Sequence, residues 1–205
     1  MNKKKNELNN KNIYIYKDAM LYKITRPIIT ILFKLVYRPK IEGKENIPNT
    51  GKIILAGNHT NNFDCLLLIS STKRSIHFLA KDELWHGPKK IIFSNMGLIP
   101  VNRRQKDPKS IKLAEAYLQN NQLIGIFPEG TFERQKGKVM DFKIGAVKMA
   151  HDTGSKIVPF AITGKYKIFS KDLKIKFFKP ITIKDDLTKE NERLRSIIKN
   201  EVEGE

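Results

Sequence analysis

Cysteine, tryptophan and histidine are scarce in this chain. Among its 205 residues it has one cysteine, Cys65, and one tryptophan. A single cysteine excludes an intrachain disulfide and suits a reducing compartment. The four histidines are scattered without the spacing of metal ligands, so the sequence predicts no metal site: His59, His77, His86 and His151.

Long apolar runs are also absent. A helix that spans a bilayer needs about 20 apolar residues, whereas the apolar run within residues 27–37 is shorter and is interrupted by Lys34. Because no small-residue cleavage site follows it, a signal peptide is not predicted either. We predict an apolar, amphipathic helix within residues 18–40 that lies in the membrane interface, since basic residues flank it. The alternative is an ordinary helix that packs on the core.

Acidic residues are outnumbered. The chain has 39 Lys and Arg against 21 Asp and Glu, a net charge of +18. Residues 1–44 contain eleven basic and three acidic residues, whereas residues 184–205 contain five and seven. Such a charge favours an anionic partner, namely a phospholipid surface, a nucleic acid or an acidic protein. Residues 1–17 are polar and lysine-rich, and they are predicted to be a disordered, basic N-terminus.

The remaining pattern predicts one α/β domain over residues 41–205. The hydrophobic fraction is 40%, and the length supports one substantial core. Short apolar strands alternate with helix patterns, which favours a single domain with a mixed, largely parallel central sheet flanked by helices. The predicted strands are 52–57, 76–80, 98–102, 123–127, 157–162 and 174–178. The predicted helices are 63–71, 82–94, 108–120, 142–152 and a C-terminal helix from about residue 187.

A histidine and an aspartate five positions apart, His59 and Asp64, follow the apolar strand pattern of residues 53–56. In one continuous helix, five residues turn by about 500°, which would leave the two side chains roughly 140° apart and unable to pair. Residues 60–62 are turn-prone, so we predict a strand, a tight turn that carries His59, and a helix that begins near Asp64. A histidine paired with a carboxylate is suited to act as a general base at neutral pH. Cys65 is interpreted as a buried structural thiol rather than a nucleophile.

Three segments after this pair carry a recognisable pattern in a fixed order: Met-Gly-Leu-Ile-Pro-Val-Asn-Arg at 96–103, Phe-Pro-Glu-Gly-Thr at 127–131 and Ile-Val-Pro-Phe at 157–160. With the histidine and aspartate, they resemble the glycerolipid acyltransferase family, and most closely the bacterial 1-acyl-sn-glycerol-3-phosphate (lysophosphatidate) acyltransferases. The resemblance covers roughly residues 40–165 and includes a lysine segment at residues 78–84.

The resemblance implies transfer of a fatty acyl group to the sn-2 hydroxyl of 1-acyl-glycerol-3-phosphate, which yields phosphatidic acid. The donor would be a thioester of acyl carrier protein or of coenzyme A, as a co-substrate, and no bound cofactor is implied. His59 would be the general base, oriented by Asp64, and the hydroxyl would attack the thioester without an acyl-enzyme. Arg103 is the best candidate for the acceptor phosphate because a guanidinium binds phosphate through two hydrogen bonds. Lys81 offers a second cation, and Arg104 is adjacent.

The resemblance also assigns the glycerol phosphate to Glu129, Gly130 and Thr131. Gly130 is expected to let the backbone approach the ligand closely, and Glu129 to accept hydrogen bonds from the acceptor or from Arg103. One position departs from the family pattern: Phe132 follows Thr131, where many members have a small polar or basic residue.

This departure leaves open a related acyltransferase with another acceptor, such as glycerol-3-phosphate, a lyso-aminolipid or a lyso-glycolipid. A different class, a basic module that binds phosphates or membranes without catalysis, would also explain the net charge. The pair of His59 and Asp64 argues against such a module, because a pure binder needs no general base. No nucleic-acid motif is present, so no nucleic-acid partner is predicted. The expected location is the cytoplasmic face of the cell membrane, as a peripheral or monotopic protein.

Overall fold

The chain folds into alternating strands and helices. The computed structural model describes residues 22–85, 97–102, 107–131 and 137–204. Its strands are β1 (Lys40–Glu42), β2 (Ile53–Gly57), β3 (Ile76–Lys81), β4 (Ile99–Val101), β5 (Leu123–Ile126), β6 (Lys156–Thr163) and β7 (Lys174–Phe177). Its α-helices are α1 (residues 22–37), α2 (Asp64–Ser71), α3 (Pro108–Gln119), α4 (Gly145–Thr153) and α5 (Leu187–Glu203). Single turns of 3-10 helix occur at Lys44–Asn46 and Asp82–Trp85.

The seven described strands form one mixed sheet in the order β1-β7-β6-β2-β5-β3-β4. The five neighbours from β6 to β4 run parallel to one another. Strand β7 is antiparallel to β6, and β1 is parallel to β7. The predicted mixed, largely parallel sheet is therefore confirmed. Because parallel strands have their carboxyl ends at one edge, the chain leaves β6, β2, β5, β3 and β4 at that edge.

Helices cover both faces of the sheet, which explains why every residue of β2 is buried. Successive side chains of a strand point to opposite faces. Leu55 accordingly packs in the apolar layer that contains Leu67 of α2, together with buried residues of α1. Ile54 packs in the opposite layer, which contains Leu118 of α3, Leu194 of α5 and residues of α4. The continuous apolar run that predicted this strand thus reflects a doubly covered sheet.

Two predicted helices differ from the structure at their starts. The helix predicted at 82–94 begins instead as the 3-10 turn Asp82–Trp85, and residues 86–96 lie outside the described residues. Helix α4 begins at Gly145 rather than at residue 142. The physical reason is tertiary, because the carbonyl of Phe142 accepts a hydrogen bond from Asn191 Nδ2 of α5 (2.8 Å), which holds this backbone outside the helix.

Strand β1 was not predicted. Its three residues include only one apolar side chain, Ile41, so neither alternation nor an apolar run marks it. It is a strand because it pairs with β7, where Ile41 stands opposite Ile175. The pairing partner lies more than 130 positions away along the chain, so no local sequence pattern predicts strand β1.

Helix α1 is apolar on two nearly opposite faces. On the inner face, Tyr22 and Phe33 are buried, and the Tyr22 hydroxyl accepts the N–H of Ile76 in β3 (3.2 Å). Five outer residues are each more than half exposed: Ile24, Ile28, Ile31, Leu32 and Leu35. At 3.6 residues per turn, these five, called the outer stripe below, fall within an arc of about 100° whose centre lies roughly 145° from the buried pair. Packing on the core therefore accounts for one face of α1 and leaves the outer stripe exposed.

In the described parts of the chain, no helix combines the length and the apolar character that crossing a membrane requires.

Candidate active site

The predicted site residues follow neighbouring parallel strands at one edge of the sheet. His59 follows β2, Glu129 follows β5, and Lys81 ends β3 with an exposed side chain. Lys81 pairs in register with Val101, the last residue of β4, so the chain leaves β4 beside Lys81. Arg103 comes two residues after Val101 and lies outside the described residues. The topology thus brings the strand ends that carry these side chains to one edge.

The carboxylate of Asp64 organises the turn that carries His59. Asp64 is the first residue of α2, is fully buried, and has its Oδ2 2.7 Å from Nδ1 of His59. The N–H groups of Thr60 and Asn61 donate to the same oxygen at 2.6 and 2.9 Å, and the Thr60 hydroxyl donates to Oδ1 at 3.0 Å. The turn and the pairing that the sequence predicts are both present. Because an ionised carboxylate only accepts, Nδ1 carries the hydrogen and Nε2 is the ring nitrogen that takes up a proton.

Tyr166 adds a fifth hydrogen bond to Asp64. It lies in the loop after β6, and its hydroxyl donates to Oδ1 of Asp64 at 2.5 Å. Burial first, and then the charge of Asp64, raise the pKa of Tyr166 far above its usual range, so the phenol keeps its proton and remains a donor. A buried carboxylate is costly unless donors satisfy it, and these five bonds do so. The tyrosine ring packs edge-on against Phe33 and Tyr37 of α1, with centroids 6.3 and 5.5 Å away.

Two residues of the Phe-Pro-Glu-Gly-Thr segment hold His59 in place. The ring of Phe127 stacks on the imidazole, with centroids 4.1 Å apart and planes inclined by 15°. Oε1 of Glu129 accepts the backbone N–H of His59 at 3.1 Å. Burial raises the pKa of Glu129, while hydrogen bonds from the backbone of His59 and Met140 oppose that rise. This support of His59 is a role that the sequence did not suggest for either residue, and the predicted contact of Glu129 with the acceptor stays a prediction.

Asn58 fixes the start of the turn. Its side chain is buried and exchanges two hydrogen bonds with the backbone of Ile162 in β6, Nδ2 to the carbonyl at 2.8 Å and the N–H to Oδ1 at 2.7 Å. The asparagine therefore ties the end of β2 to β6 where both strands leave the sheet. This tie sets His59 in position relative to the loop that carries Tyr166.

Gly130 occupies a position whose backbone conformation favours glycine. Its φ of 73° is in the left-handed region, and its N–H donates to the carbonyl of Phe127 at 3.0 Å to close the turn. A Cβ at this position would lie 2.9 Å from Nζ of Lys143. Lys143 thus brings to this turn a cation that sequence reasoning missed. Thr131 is the last described residue of the segment, because residues 132–136, which include the departure from the family pattern, lie outside the description.

Asp107 follows the segment that contains the predicted phosphate-binding arginine. Its carboxylate accepts the N–H of Asn102 just after β4 (3.1 Å) and the N–H of Ser110 in the first turn of α3 (3.1 Å). The hydroxyl of Ser110 contributes most to lowering the pKa of Asp107 to about 2, and the two backbone bonds add to it. These contacts fix both ends of the segment with Arg103 and Arg104, while the arginines themselves lie outside the described residues.

Cys65 is poorly suited to nucleophilic catalysis. Burial, and secondarily the charge of Asp64, raise the pKa of its thiol to about 12. A thiol that stays protonated at neutral pH is a weak nucleophile. The side chain is partly buried against the apolar layer that contains Leu67, rather than fully buried as predicted. Over the part of the chain that the structure describes, no three His, Cys, Asp or Glu side chains are grouped to hold a metal ion.

The residue that sequence reasoning missed most clearly is Tyr166. Its contact with Asp64 joins positions 102 residues apart, so no spacing pattern reveals it. One signal was available: Tyr166 follows the parallel strand β6, just as His59 follows β2. Polar and aromatic residues after such strands are candidates for the same site.

Comparisons with known proteins identify the family of this chain. A family model described as Acyltransferase matches residues 38–163. The chain is 36% identical over 140 residues to a 1-acyl-sn-glycerol-3-phosphate acyltransferase of Borreliella burgdorferi, a match that covers 65% of this chain and 54% of that protein. It is 29% identical over 149 residues to the protein of the same name from Bacillus subtilis, covering 70% and 72% of the two chains. The chain thus spans about half the length of the Borreliella relative.

The fold is similar to a solved structure. The crystal structure of PlsC, a 1-acyl-sn-glycerophosphate (LPA) acyltransferase from Thermotoga maritima, superposes with a TM-score of 0.69 over 95% of this chain and 88% of that chain. The two sequences are 21% identical, so this likeness shows the fold. Because the family model matches more than half of the chain, from before β1 to the end of β6, the chain belongs to the acyltransferase family.

Proposed function

We propose that this chain is a 1-acyl-sn-glycerol-3-phosphate acyltransferase that uses His59 as its general base. The observation that carries the proposal is the hydrogen bond of 2.7 Å between Nδ1 of His59 and the buried carboxylate of Asp64. The printed names of the Borreliella and Bacillus relatives supply the acceptor class. A purely structural histidine would not need a buried anion held by five donors.

The chemistry follows from that pair. Nε2 of His59 takes the proton from the free sn-2 hydroxyl as its oxygen attacks the thioester carbonyl. Asp64 holds the ring in the tautomer with Nδ1 protonated and stabilises the imidazolium that forms. The tetrahedral intermediate then collapses, the carbon–sulfur bond breaks, and the thiolate takes the proton back from His59. The products are phosphatidic acid and a free thiol, and no acyl-enzyme forms.

The acceptor phosphate is proposed to bind among cations at the same edge of the sheet. Lys81 ends β3 with an exposed side chain, and Lys143 lies beside the turn at Gly130. Arg103 is assigned the bidentate contact with phosphate, as the family resemblance implies. The donor is proposed to be acyl carrier protein or coenzyme A thioester, both of which are anionic and suit a chain of net charge +18.

The test is release of free thiol from an acyl thioester by the purified chain, with oleoyl-lysophosphatidate as acceptor. We expect His59→Ala to lower kcat by roughly 100- to 10,000-fold, the contribution of a positioned general base. His151→Ala is the matched control, since His151 lies exposed on α4, away from the site. Cys65→Ser tests the absence of an acyl-enzyme. Near wild-type turnover by His59→Ala, or an inactive Cys65→Ser variant that remains folded, would contradict the mechanism.

The departure at Phe132 favours one alternative, a different acceptor for the same chemistry. Glycerol-3-phosphate, a lyso-aminolipid and a lyso-glycolipid should therefore be compared with lysophosphatidate in the same assay. A kcat/KM for one of these above that for lysophosphatidate would move the acceptor and leave the roles of His59 and Asp64 unchanged.

Helix α1 is proposed to rest on the cytoplasmic face of the membrane, as a peripheral or monotopic contact. Its outer stripe offers apolar side chains to the lipid, and Lys23, Lys34 and Arg38 lie around it. Each basic residue near an anionic leaflet contributes about 1 kcal/mol. Flotation with vesicles of phosphatidylcholine and phosphatidylglycerol tests this contact. We expect Ile28→Ser with Ile31→Ser to weaken binding at least about tenfold, whereas undiminished binding would contradict it.

A further inference from the structure

A second exposed apolar site lies far from α1 in the sequence. The loop between β6 and β7, residues 164–173, exposes Ile168 and Phe169 by 63% and 65%, more than any other large apolar side chain in the described residues. Adjacent exposed apolar residues of this size are costly in water unless a partner covers them.

This loop tip is held in a defined conformation. Phe169 has a φ of 56°, a left-handed conformation that bulky residues rarely adopt. Its N–H donates to the carbonyl of Val36 in the last turn of α1 at 2.7 Å, and the guanidinium of Arg38 lies 5.6 Å from the centre of its ring. The contacts at the end of α1 therefore keep the phenylalanine exposed rather than folded back onto the core.

The loop tip lies against the end of α1 that follows the outer stripe. The stripe ends at Leu35, and the next residue, Val36, carries the carbonyl that binds Phe169. The loop itself contains Lys165, Lys167 and Lys171 and a single acidic residue. Apolar side chains surrounded by cations match the interface of an anionic bilayer, in which apolar groups enter the acyl region and cations meet the headgroups.

We propose that Ile168 and Phe169 insert into an anionic lipid bilayer as a second contact beside α1. The proposal rests on the proposed membrane contact of α1 and adds a second element, so that two contacts rather than one helix set the orientation of the domain. The same loop carries Tyr166, three residues before Phe169, and Tyr166 binds Asp64. The lipid contact therefore lies in the loop that supports the catalytic carboxylate, which turns the His59 site toward the surface where a lysolipid acceptor resides.

The experiment places a tryptophan at the loop tip of the full chain and measures its fluorescence with vesicles. Phe169→Trp is compared with Ile111→Trp, which marks α3 on the other face of the sheet, where Ile111 is 47% exposed. Both variants keep Trp85, so the wild-type chain supplies the background. Vesicles of phosphatidylcholine and phosphatidylglycerol are prepared with and without brominated acyl chains. We expect vesicles to shift the emission of Phe169→Trp to shorter wavelength and bromine to quench it, with neither change in Ile111→Trp.

A second variant keeps the test independent of tryptophan. Ile168→Ser is expected to weaken vesicle binding by roughly three- to tenfold, the partial burial of one isoleucine, and Ile111→Ser is expected to leave it unchanged. If the chain binds vesicles but Phe169→Trp is neither shifted nor quenched, the loop contact is wrong and the contact of α1 stands. If the wild-type chain does not bind vesicles, both membrane proposals fail, while thiol release with a detergent-dispersed acceptor still tests the chemistry separately.

Discussion

Replacing Tyr166 by phenylalanine removes one hydrogen bond from the catalytic carboxylate and little else. The hydroxyl donates to Oδ1 of Asp64, while the ring packs against Phe33 and Tyr37 of α1. Phenylalanine keeps that ring and its packing. Asp64 is fully buried and retains four other donors, so the substitution isolates the contribution of one bond.

The structure sets the size of the expected effect. A hydrogen bond to a charged group contributes about 1.5–3 kcal/mol to folding. Oδ1 still accepts from the hydroxyl of Thr60 at 3.0 Å, so the carboxylate oxygen is not left bare. We therefore expect a loss near the lower end, about 1.5 kcal/mol in the free energy of unfolding. The activity should also fall, because a carboxylate with one donor fewer is held less firmly against Nδ1 of His59.

Urea denaturation and kcat at one fixed pH measure the two effects. The loss in kcat should be smaller than that of His59→Ala, because the general base itself remains. Tyr37→Phe is the matched control, since it removes a hydroxyl from the same aromatic cluster. If Tyr166→Phe and Tyr37→Phe had the same stability and the same kcat, the hydroxyl of Tyr166 would not support Asp64.

Three further predictions concern the surroundings of the pair. Asp107→Ala should lower the free energy of unfolding by about 1 kcal/mol at neutral pH, as for other N-caps. Because the pKa of Asp107 is lowered to about 2, this stabilisation is present above about pH 4 and is lost toward pH 2. The thermal stabilities of the variant and the wild type should therefore converge near pH 2. Glu129→Ala should lower the free energy of unfolding by about 1–3 kcal/mol because it removes the carboxylate that accepts the N–H of His59, whereas Glu129→Gln keeps an acceptor; equal urea midpoints would contradict this. Gly130→Ala should lower the free energy of unfolding by about 1–2 kcal/mol, because alanine is strained at this positive φ. It should also raise the KM for the acceptor, because the added methyl group displaces Lys143. An unchanged KM would argue against a contact between Lys143 and the phosphate.

The sheet was predictable because its central strands are buried on both faces. Strands β2, β5 and β6 each read as short apolar runs, and their observed bounds fall within one residue of those predicted. The sequence did not predict those elements whose presence or bounds depend on tertiary contacts. The edge strand β1 exists through pairing with β7, and α4 starts late because Asn191 binds the carbonyl of Phe142.

The site divides in the same way. The contact of His59 with Asp64 spans five residues, so spacing and turn chemistry could predict it. The contacts of Asp64 with Tyr166 and of His59 with Glu129 join positions 102 and 70 residues apart and exist only because parallel strands bring their ends together. Sequence spacing can therefore identify a catalytic pair that is close along the chain. The residues that support the pair can be identified only from the folded sheet.

The two faces of α1 decide how its membrane role should be tested. Deleting residues 1–40 would remove the outer stripe, but it would also remove Phe33 from the core and Tyr37 from its contact with Tyr166. Lost activity in such a deletion would therefore follow from damage to the support of Asp64, whether or not the helix meets lipid. Serine substitutions confined to the outer stripe leave the inner face intact. Only they separate the affinity for a membrane from the integrity of the His59 site, because the same helix contributes to both through opposite faces.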